Sequence, residues 1–357
     1  SLAFAMQILA GHPQYVFYTV ITILIYTVAH FFLLHLENPR LHAPEPRNGL
    51  GTGSRLSSLL SHKGSLMAIL AMLTAGASLS AAQILPGLEA ARESVRTGGV
   101  PWSFAAMFSF PPENFLTMLT PYFFGDLLYA PYWGRAYLWE MNLFIGINGI
   151  LLAIYGWMKG GKSARPFAMS AIFLLVLALG AHTPLFHLLY NYVPGFDRFR
   201  GSSKWMYFAS LCFIFLSGLG FDALLTKSPT EDVEGRQSLW KRALYGENFH
   251  LPILIAALLA ACVALYLTFA AKGILPQTPW RLFLRWLAAT GESYLNAGLY
   301  SMETFVGNTA MLAAIQWFIA ALTLLITAWL WSLAQTRSKA AAAFGIFGLA
   351  LLEVFLF

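Results

Sequence analysis

The sequence has few charged residues and almost no cysteine. Asp, Glu, Lys and Arg make up 11% of its 357 residues, whereas soluble globular chains carry roughly 25%. So few charges cannot coat a soluble protein of this size, and the composition also excludes a disordered chain and a coiled coil. Cys212 and Cys262 lie in apolar runs without metal-ligand spacing, which excludes a disulfide scaffold.

Long apolar runs are what the sequence has in abundance, since 58% of its residues are hydrophobic. A helix needs about 20 largely apolar residues to cross the hydrocarbon core of a bilayer. The runs predict an all-α fold: one polytopic transmembrane helix bundle over 1–357, with about eight spans, external interfacial helices and an N-terminal helix stub at 1–10. The predicted spans are 15–34, 65–86, 141–158, 166–183, 205–225, 251–271, 309–333 and 339–357.

The basic residues divide unevenly between the loops of this predicted topology. The chain carries 22 Lys and Arg against 16 Asp and Glu, a net charge of +6. Thirteen of the basic residues fall in 67 positions, and nine fall in the other 115 loop positions. By the positive-inside rule the first set is cytoplasmic and the second external, so the charge marks topology and indicates no nucleic-acid partner. The cytoplasmic set comprises 36–64, 159–165, 226–250 and 334–339; the external set comprises 11–14, 87–140, 184–204 and 272–307.

Two of the predicted external loops suit the membrane interface. Loop 87–140 is rich in Trp, Tyr and Phe, whose amphipathic rings favour headgroup depth. In loop 272–307, Arg281 and Arg285 stand four residues apart among Trp and Leu side chains, a pattern typical of a helix lying in the interface plane. The two arginines would then anchor the helix to lipid phosphates or, alternatively, recognise the phosphate of a substrate.

The densest external charge lies directly before the span 205–225. Arg198, Arg200 and Lys204 stand within seven residues, beside Asp197. Cations next to a helix N-terminus favour an anion, and their place on the external side opposes the positive-inside trend. We therefore expect contact with a ligand phosphate; the alternative is an ion pair of Asp197 with one arginine and snorkelling of the other cations toward water.

No metal motif is visible, and one acid lies deep in a span. The predicted last span contains Glu353, for which we expect a hydrogen bond inside the bundle or pairing with a segment outside this sequence. The histidines lack metal spacing, so no metal and no cofactor are predicted, although ligation of a pigment by a single buried His stays open. A divalent ion on Glu113, Asp126 or Glu140 is a weaker alternative, because these acids are scattered.

Several short motifs in order resemble the bacterial YfhO family of polytopic membrane proteins. They are GHPQ at 11–14, AQILP at 82–86 followed by Glu89 and SVR at 94–96, PENFL at 112–116 with PYFFG at 121–125, and PGFDRFRGSSKWMYF at 194–208 running into LSGLGFD at 216–222. Lys204 stands where the family would lead us to expect an Arg-like position, a mild departure.

The resemblance implies a GT-C-like glycosyltransferase of the bacterial inner membrane. Such an enzyme transfers a sugar from a polyprenyl-phosphate donor to an extracytoplasmic acceptor. Its catalytic Asp is expected in an earlier external loop, so we expect that residue to be absent here and the sequence to be truncated at both ends. The external candidates that remain, besides the cations, are His12, Gln14, Glu113, Asp126 and Glu140.

Two other functions stay open. The first is a non-catalytic structural subunit of a larger membrane complex, bound to other membrane subunits. A secondary transporter is the weaker alternative, because the sequence shows neither related halves with broken helices nor midplane charges.

Overall fold

The computed structural model describes residues 1–37, 52–94, 96–128, 130–226, 248–336 and 338–356, with the backbone alone described for 34–37, 52–62 and 335–336. Residues 38–51 and 227–247, from two of the predicted cytoplasmic segments, therefore lie outside the described residues. The described residues are helical or irregular; they contain no strand, and one isolated antiparallel bridge joins Arg135 and Ser293. The prediction of an all-α fold is confirmed.

The chain forms two compact units. Unit 1 comprises Ser1–Met107 and Pro184–Gly201, and unit 2 comprises Phe108–Thr183 and Ser202–Phe357. The helices of unit 1 are α1 (Leu2–Leu9), α2 (Pro13–Glu37), α3 (Thr52–Leu79), α4 (Ala81–Arg92), α5 (Trp102–Ala105) and α8 (Pro184–Tyr192). Those of unit 2 are α6 (Ile147–Lys159), α7 (Ala164–Ala178), α9 (Trp205–Thr226), α10 (His250–Ala271), α11 (Thr278–Ala289), α12 (Glu303–Thr336) and α13 (Lys339–Leu356).

Six helical segments of the described chain are long and apolar enough to cross a membrane, or seven if one bent pair counts as a span. They are Pro13–Leu33, Gly161–Ala178, Ser202–Thr226, His250–Ala271, Glu303–Ala334 and Lys339–Leu356. Each matches a predicted span, so a multi-pass membrane protein is confirmed. The predicted total of about eight membrane spans is not confirmed.

The predicted span 65–86 is broken rather than continuous. Helices Lys63–Leu79 and Ala81–Arg92 meet at an angle of 79°. At the break, the Ser80 hydroxyl donates a hydrogen bond to the carbonyl oxygen of Gly76 at 2.8 Å. A serine that bonds back to the preceding turn competes with the helix and bends it.

The predicted span 141–158 is also shorter than expected, because α6 begins only at Ile147 and has 13 residues. Side chains from an earlier part of the chain bind the backbone just before it. The Asn114 amide donates to the Met141 carbonyl oxygen at 2.6 Å, and the Leu143 amide donates to the Thr117 hydroxyl at 2.9 Å. These bonds take the place of helical hydrogen bonds before Ile147. The apolar side chains of Met141 and Leu143 are buried in the protein.

The core of unit 2 depends on close approach of helix backbones. A Cβ atom on Gly156 would lie 2.0 Å from the Leu216 carbonyl oxygen, and one on Gly220 would lie 2.0 Å from the Leu152 carbonyl oxygen. Gly218, two residues before Gly220, differs, because a Cβ atom there would meet open space. Close contact between α6 and α9 is built from one glycine on each helix, as small residues allow in membranes.

The acid in the last span makes the predicted hydrogen bonds inside the bundle. Glu353 is 4% exposed, and its carboxyl oxygens accept from the backbone amides of Ile147 and Asn148 at 3.2 and 3.0 Å. The Asn148 side-chain amide donates to the same group at 3.0 Å, and its oxygen accepts from the Thr327 hydroxyl at 2.9 Å. Glu353 thus caps the first turn of α6, which has no earlier carbonyl partners for these amides.

The aromatic residues of loop 87–140 only partly match the expected interface layer. Tyr132, Trp133, Phe123 and Phe124 are at most 3% exposed and form a hydrophobic core with α11 and α12. For these residues the interfacial interpretation is wrong, since their rings pack against one another instead of facing lipid. Trp139, at 69% exposed, does remain on the surface.

Candidate functional site

The predicted basic block is divided between the two units. Arg198 and Arg200 belong to unit 1, whereas Lys204 belongs to unit 2. The block is therefore two separate environments, which are described in turn.

In unit 1, two arginines from distant parts of the chain meet on one aromatic ring. The guanidinium carbon of Arg96 lies 5.2 Å from the centroid of Phe104 in α5, and that of Arg200 lies 4.9 Å from the same centroid. Both distances are those of cation–π contacts. We call Arg96, Arg198 and Arg200 the arginine cluster. Arg96 was not among the predicted site residues, because spacing along the sequence cannot bring it to residue 200.

The third member of the cluster binds the backbone. Arg198 donates from one terminal nitrogen to the carbonyl oxygens of Arg96, at 2.9 Å, and Thr97, and its Nε lies 3.4 Å from an oxygen of Asp197. The ion pair of Asp197 with one arginine, which the sequence offered as the alternative to a ligand phosphate, is present. Arg198 therefore fastens the loop that carries Arg96 to the segment that carries Arg200.

Gln14 supports the same cluster, and His12 stands apart from it. The buried Gln14 amide donates to the Tyr18 hydroxyl at 2.9 Å and to the Arg200 carbonyl oxygen at 2.6 Å. His12 is exposed, and its ring packs edge-on against Tyr15 at 4.7 Å. Of the two candidates in the motif at 11–14, only Gln14 thus touches a predicted phosphate-binding residue.

In unit 2, Lys204 has an acidic partner. Its Nζ lies 2.8 Å from an oxygen of Glu140, and the side chains of the two residues are 12% and 18% exposed. The Ser203 hydroxyl donates to the other Glu140 oxygen at 3.3 Å. The structure thus joins two predicted site residues, Lys204 and Glu140, in one ion pair.

The helix predicted around Arg281 and Arg285 exists as α11, but its two arginines differ. The inner face of α11 buries Trp280, Leu284 and Leu287. Arg281 donates to the Gln277 side chain at 2.6 Å and also pairs with Glu303, whereas Arg285 is exposed. Both arginines lie at the surface, where Arg281 is held by side-chain partners and Arg285 is more exposed.

A second cluster of ionisable groups in unit 2 surrounds Arg135. This side chain is 7% exposed and lies between two acids, with its NH1 3.4 Å from Glu113 Oε1 and its NH2 2.7 Å from Glu292 Oε2. The same NH2 lies 3.1 Å from His182 Nε2. Glu113 was a predicted candidate, whereas Arg135, His182 and Glu292 were not, and their wide separation in the sequence gives no signal that they meet.

Burial shapes the electrostatics of this second cluster. Desolvation raises the pKa of Glu113 above its usual value, although its own backbone amide and Arg135 oppose the rise. Desolvation and then Arg135 lower the pKa of His182, which favours the neutral imidazole. Burial likewise raises the pKa of the Tyr132 hydroxyl, which donates to the Arg135 carbonyl oxygen at 2.9 Å.

Unit 2 also contains a pocket of about 350 Å³, and part of its lining immediately precedes Arg135 in the sequence. Residues Ala130, Pro131 and Trp133 form one wall, and the first four turns of α12, including Phe305 and Leu312, form the other. This volume is at the lower end of the range for ligand pockets. Asp126, another predicted candidate, accepts from the Leu128 and Ala130 amides at 3.0 Å and so shapes the turn that leads into this wall.

Across the described part of the chain, no group of three or more His, Cys, Asp and Glu side chains could hold a metal ion. Glu113, Asp126 and Glu140 thus do not form a joint site. That the protein binds no cofactor stays a prediction.

Comparisons with protein-family models, curated proteins and solved structures find no match to this chain. The resemblance to the YfhO family therefore rests on the sequence motifs alone.

Proposed function

We propose that this chain is the membrane module of a GT-C-like glycosyltransferase of the bacterial inner membrane and that its arginine cluster binds the phosphate of a polyprenyl-phosphate-linked sugar. One observation carries the proposal: Arg96 and Arg200 come from distant segments to the same Phe104 ring. Both guanidinium groups would attract a bound anion. Guanidinium groups match phosphate oxygens through paired, charge-assisted hydrogen bonds.

The remaining contacts of unit 1 fit such a site. Arg198 and Gln14 act on the backbone of the loops that carry the two ring-bound arginines, so they would position the cluster instead of touching the phosphate. In the sequence, Arg200 stands two residues before the candidate span Ser202–Thr226, which suits the headgroup height of a lipid phosphate. The loops at this end of the span are extracytoplasmic in this proposal.

Binding of polyprenyl phosphate tests the proposal. The full chain is placed in phosphatidylcholine nanodiscs, and its affinity for polyprenyl phosphate is compared with that for the polyprenol of equal length. Arg96→Gln and Arg200→Gln should each weaken phosphate binding by about tenfold or more, the loss expected for one charge-assisted hydrogen bond. Neither should change polyprenol binding.

Arg92→Gln is the matched control, because it removes an exposed arginine of unit 1 that is not part of the arginine cluster. Equal affinity for the polyprenol and its phosphate would refute the phosphate site. So would equal effects of Arg92→Gln and Arg200→Gln. Transfer of sugar from a polyprenyl-phosphate donor by the same nanodiscs then tests the enzymatic part.

A non-catalytic subunit of a larger membrane complex is the second candidate. It is favoured by the internal use of two predicted phosphate ligands, since Arg198 binds backbone carbonyl groups and Lys204 pairs with Glu140. Such a subunit would lack sugar transfer, and Arg198→Gln and Lys204→Gln would lower its thermal stability without changing lipid binding. Transfer activity in the unmodified chain would exclude it.

A further inference from the structure

The pocket of unit 2 lies along the start of a helix that is long and apolar enough to cross a membrane. One wall runs from Phe305 to Ile315 and belongs to the candidate span Glu303–Ala334. The other wall contains Ala130 and Trp133, from an irregular segment. The medium around a membrane-crossing helix is lipid hydrocarbon, so a ligand that reaches the pocket along this helix comes from the lipid.

The second wall is held in place by contacts within unit 2. The Trp133 amide donates to the Phe124 carbonyl oxygen at 2.8 Å, and the Trp133 carbonyl oxygen accepts from the Tyr300 hydroxyl at 2.8 Å. Trp133 is fully buried, and its ring packs against those of Phe124 and Trp280. The pocket is therefore formed before any ligand binds, as is usual for ligand pockets.

The first wall continues as an exposed apolar face of α12. Asn308, Ile315 and Leu322 stand seven residues apart, which is about two helical turns, so they share one face. Asn308 is exposed, and Ile315 and Leu322 are 47% and 50% exposed. The first two line the pocket, and Leu322 lies beyond it. An extended hydrocarbon chain in the pocket would thus continue along the helix toward Leu322.

The lining contains two polar side chains, and only one of them has partners. The Thr309 hydroxyl accepts from Trp280 Nε1 at 3.2 Å and donates to the Phe305 carbonyl oxygen at 2.9 Å. The side-chain amide of Asn308 has no hydrogen-bond partner among the described residues. An amide without a partner in an apolar medium costs free energy, so an acceptor atom of a ligand would stabilise it.

The position of Asn308 along α12 matches a particular part of a lipid. Glu303, at 76% exposed, pairs with Arg281 and marks the polar end of the helix. Asn308 follows five residues later, about 8 Å along the axis, and Ile315 follows about 10 Å beyond it. A phospholipid has its groups in the same order: a charged headgroup, then ester carbonyl groups, then acyl chains.

We propose that this pocket binds one acyl chain of an ester-linked membrane phospholipid and that the Asn308 amide donates to the ester carbonyl oxygen of that chain. The volume of about 350 Å³, at the lower end for ligand pockets, suits a single chain. A polyprenyl phosphate contains no carbonyl group, so the unpaired amide favours the ester lipid. The proposal is independent of the phosphate site, because the arginine cluster belongs to unit 1.

Photolabelling of the full chain in phosphatidylcholine nanodiscs tests the site. Two phosphatidylcholine probes carry a diazirine at the same position of one chain; one probe is a diacyl ester and the other a dialkyl ether. At the same low mole fraction, adducts on 311–315 should be about threefold to tenfold more abundant with the ester, the effect of one hydrogen bond. Adducts on Leu258, which is 56% exposed on α10, should not depend on the linkage.

Substitutions separate the amide from the cavity. Asn308→Leu should bring the ratio of ester to ether adducts on 311–315 close to one. Gln316→Leu is the matched control, because it removes another amide of α12 that does not line the pocket, and the ratio should stay as in the unmodified chain. Leu312→Trp fills part of the pocket, so adducts on 130–133 should fall several-fold with both probes.

Three results would overturn the proposal. The first is no adduct at the pocket with either probe, and the second is equal labelling by ester and ether in the unmodified chain. The third is an ester preference that survives in Asn308→Leu. A polyprenyl phosphate with the same label distinguishes the remaining occupant: stronger labelling of 311–315 by it than by the ester probe would assign the pocket to a prenyl chain and refute the acyl-chain site.

Discussion

Replacement of Glu353 by Ala should destabilise the bundle more than most single substitutions. The change leaves three buried donors without an acceptor: the backbone amides of Ile147 and Asn148 and the Asn148 side chain. A buried donor left unsatisfied costs about 1–3 kcal/mol. With some relaxation of α6, we expect the free energy of unfolding to fall by about 3–6 kcal/mol.

Milder substitutions grade this effect. In Glu353→Gln the amide oxygen can still accept from Asn148, but the amide nitrogen faces the Ile147 donor, so about 1–3 kcal/mol should be lost. Thr327→Val removes only the hydroxyl that donates to Asn148, which should cost about 1 kcal/mol. Because Glu353 and Thr327 share Asn148, their effects should not be additive.

Reversible unfolding of the full chain in mixed micelles, followed by helical circular dichroism, measures these differences. Val354→Ala is the matched control, since it alters the adjacent, 52% exposed side chain. A loss below about 1 kcal/mol for Glu353→Ala, or additive losses for Glu353→Gln and Thr327→Val, would refute the capping role of Glu353.

Four further substitutions separate structural from surface roles. Gly156→Ala should lower the free energy of unfolding by about 1–3 kcal/mol or more, because its Cβ atom would overlap a backbone carbonyl of α9. Gly218→Ala, in open space, should instead raise it by up to about 1 kcal/mol. Unfolding in micelles measures both changes. Arg281→Gln should change stability by no more than about 0.5 kcal/mol, since its partner Glu303 is 76% exposed, and a larger loss would contradict this assignment. Arg198→Gln should speed proteolysis at Thr97 several-fold, because the loop loses its two carbonyl bonds; unchanged cleavage would show that the loop is held otherwise.

Hydropathy could predict most of the membrane helices, because a long apolar run has few alternatives to a helix in a bilayer. It failed where polar side chains far along the chain bind the backbone. Asn114 and Thr117 take the hydrogen bonds of 141–143 and delay α6 until Ile147. No pattern within 141–158 could show this, since the competing groups lie in another loop.

The contacts of a candidate site were predictable only where the environment of a single residue determines them. Glu353 lies in an apolar run, so it had to find donors nearby, and the hydrogen bond was predictable although Asn148 was not. The arginine cluster and the cluster around Arg135 arise from tertiary contacts. Charge spacing placed Arg198 beside Arg200, but it could not show that Arg198 binds carbonyl groups or that Arg96 joins it.

The buried N-terminus of the short helix α6 carries a partial positive charge that needs a compensating group. Its 13 residues span about 20 Å, roughly 10 Å less than the hydrocarbon core of a bilayer, and its first turn is buried inside unit 2 at Ile147 and Asn148. The start of a helix carries about half a positive charge, and burying that charge in a medium of low dielectric constant is unfavourable. Glu353 supplies acceptor oxygens at that point. The most deeply buried acid of the described chain thus compensates the partial charge of a backbone, and it needs no ionised side chain as its partner.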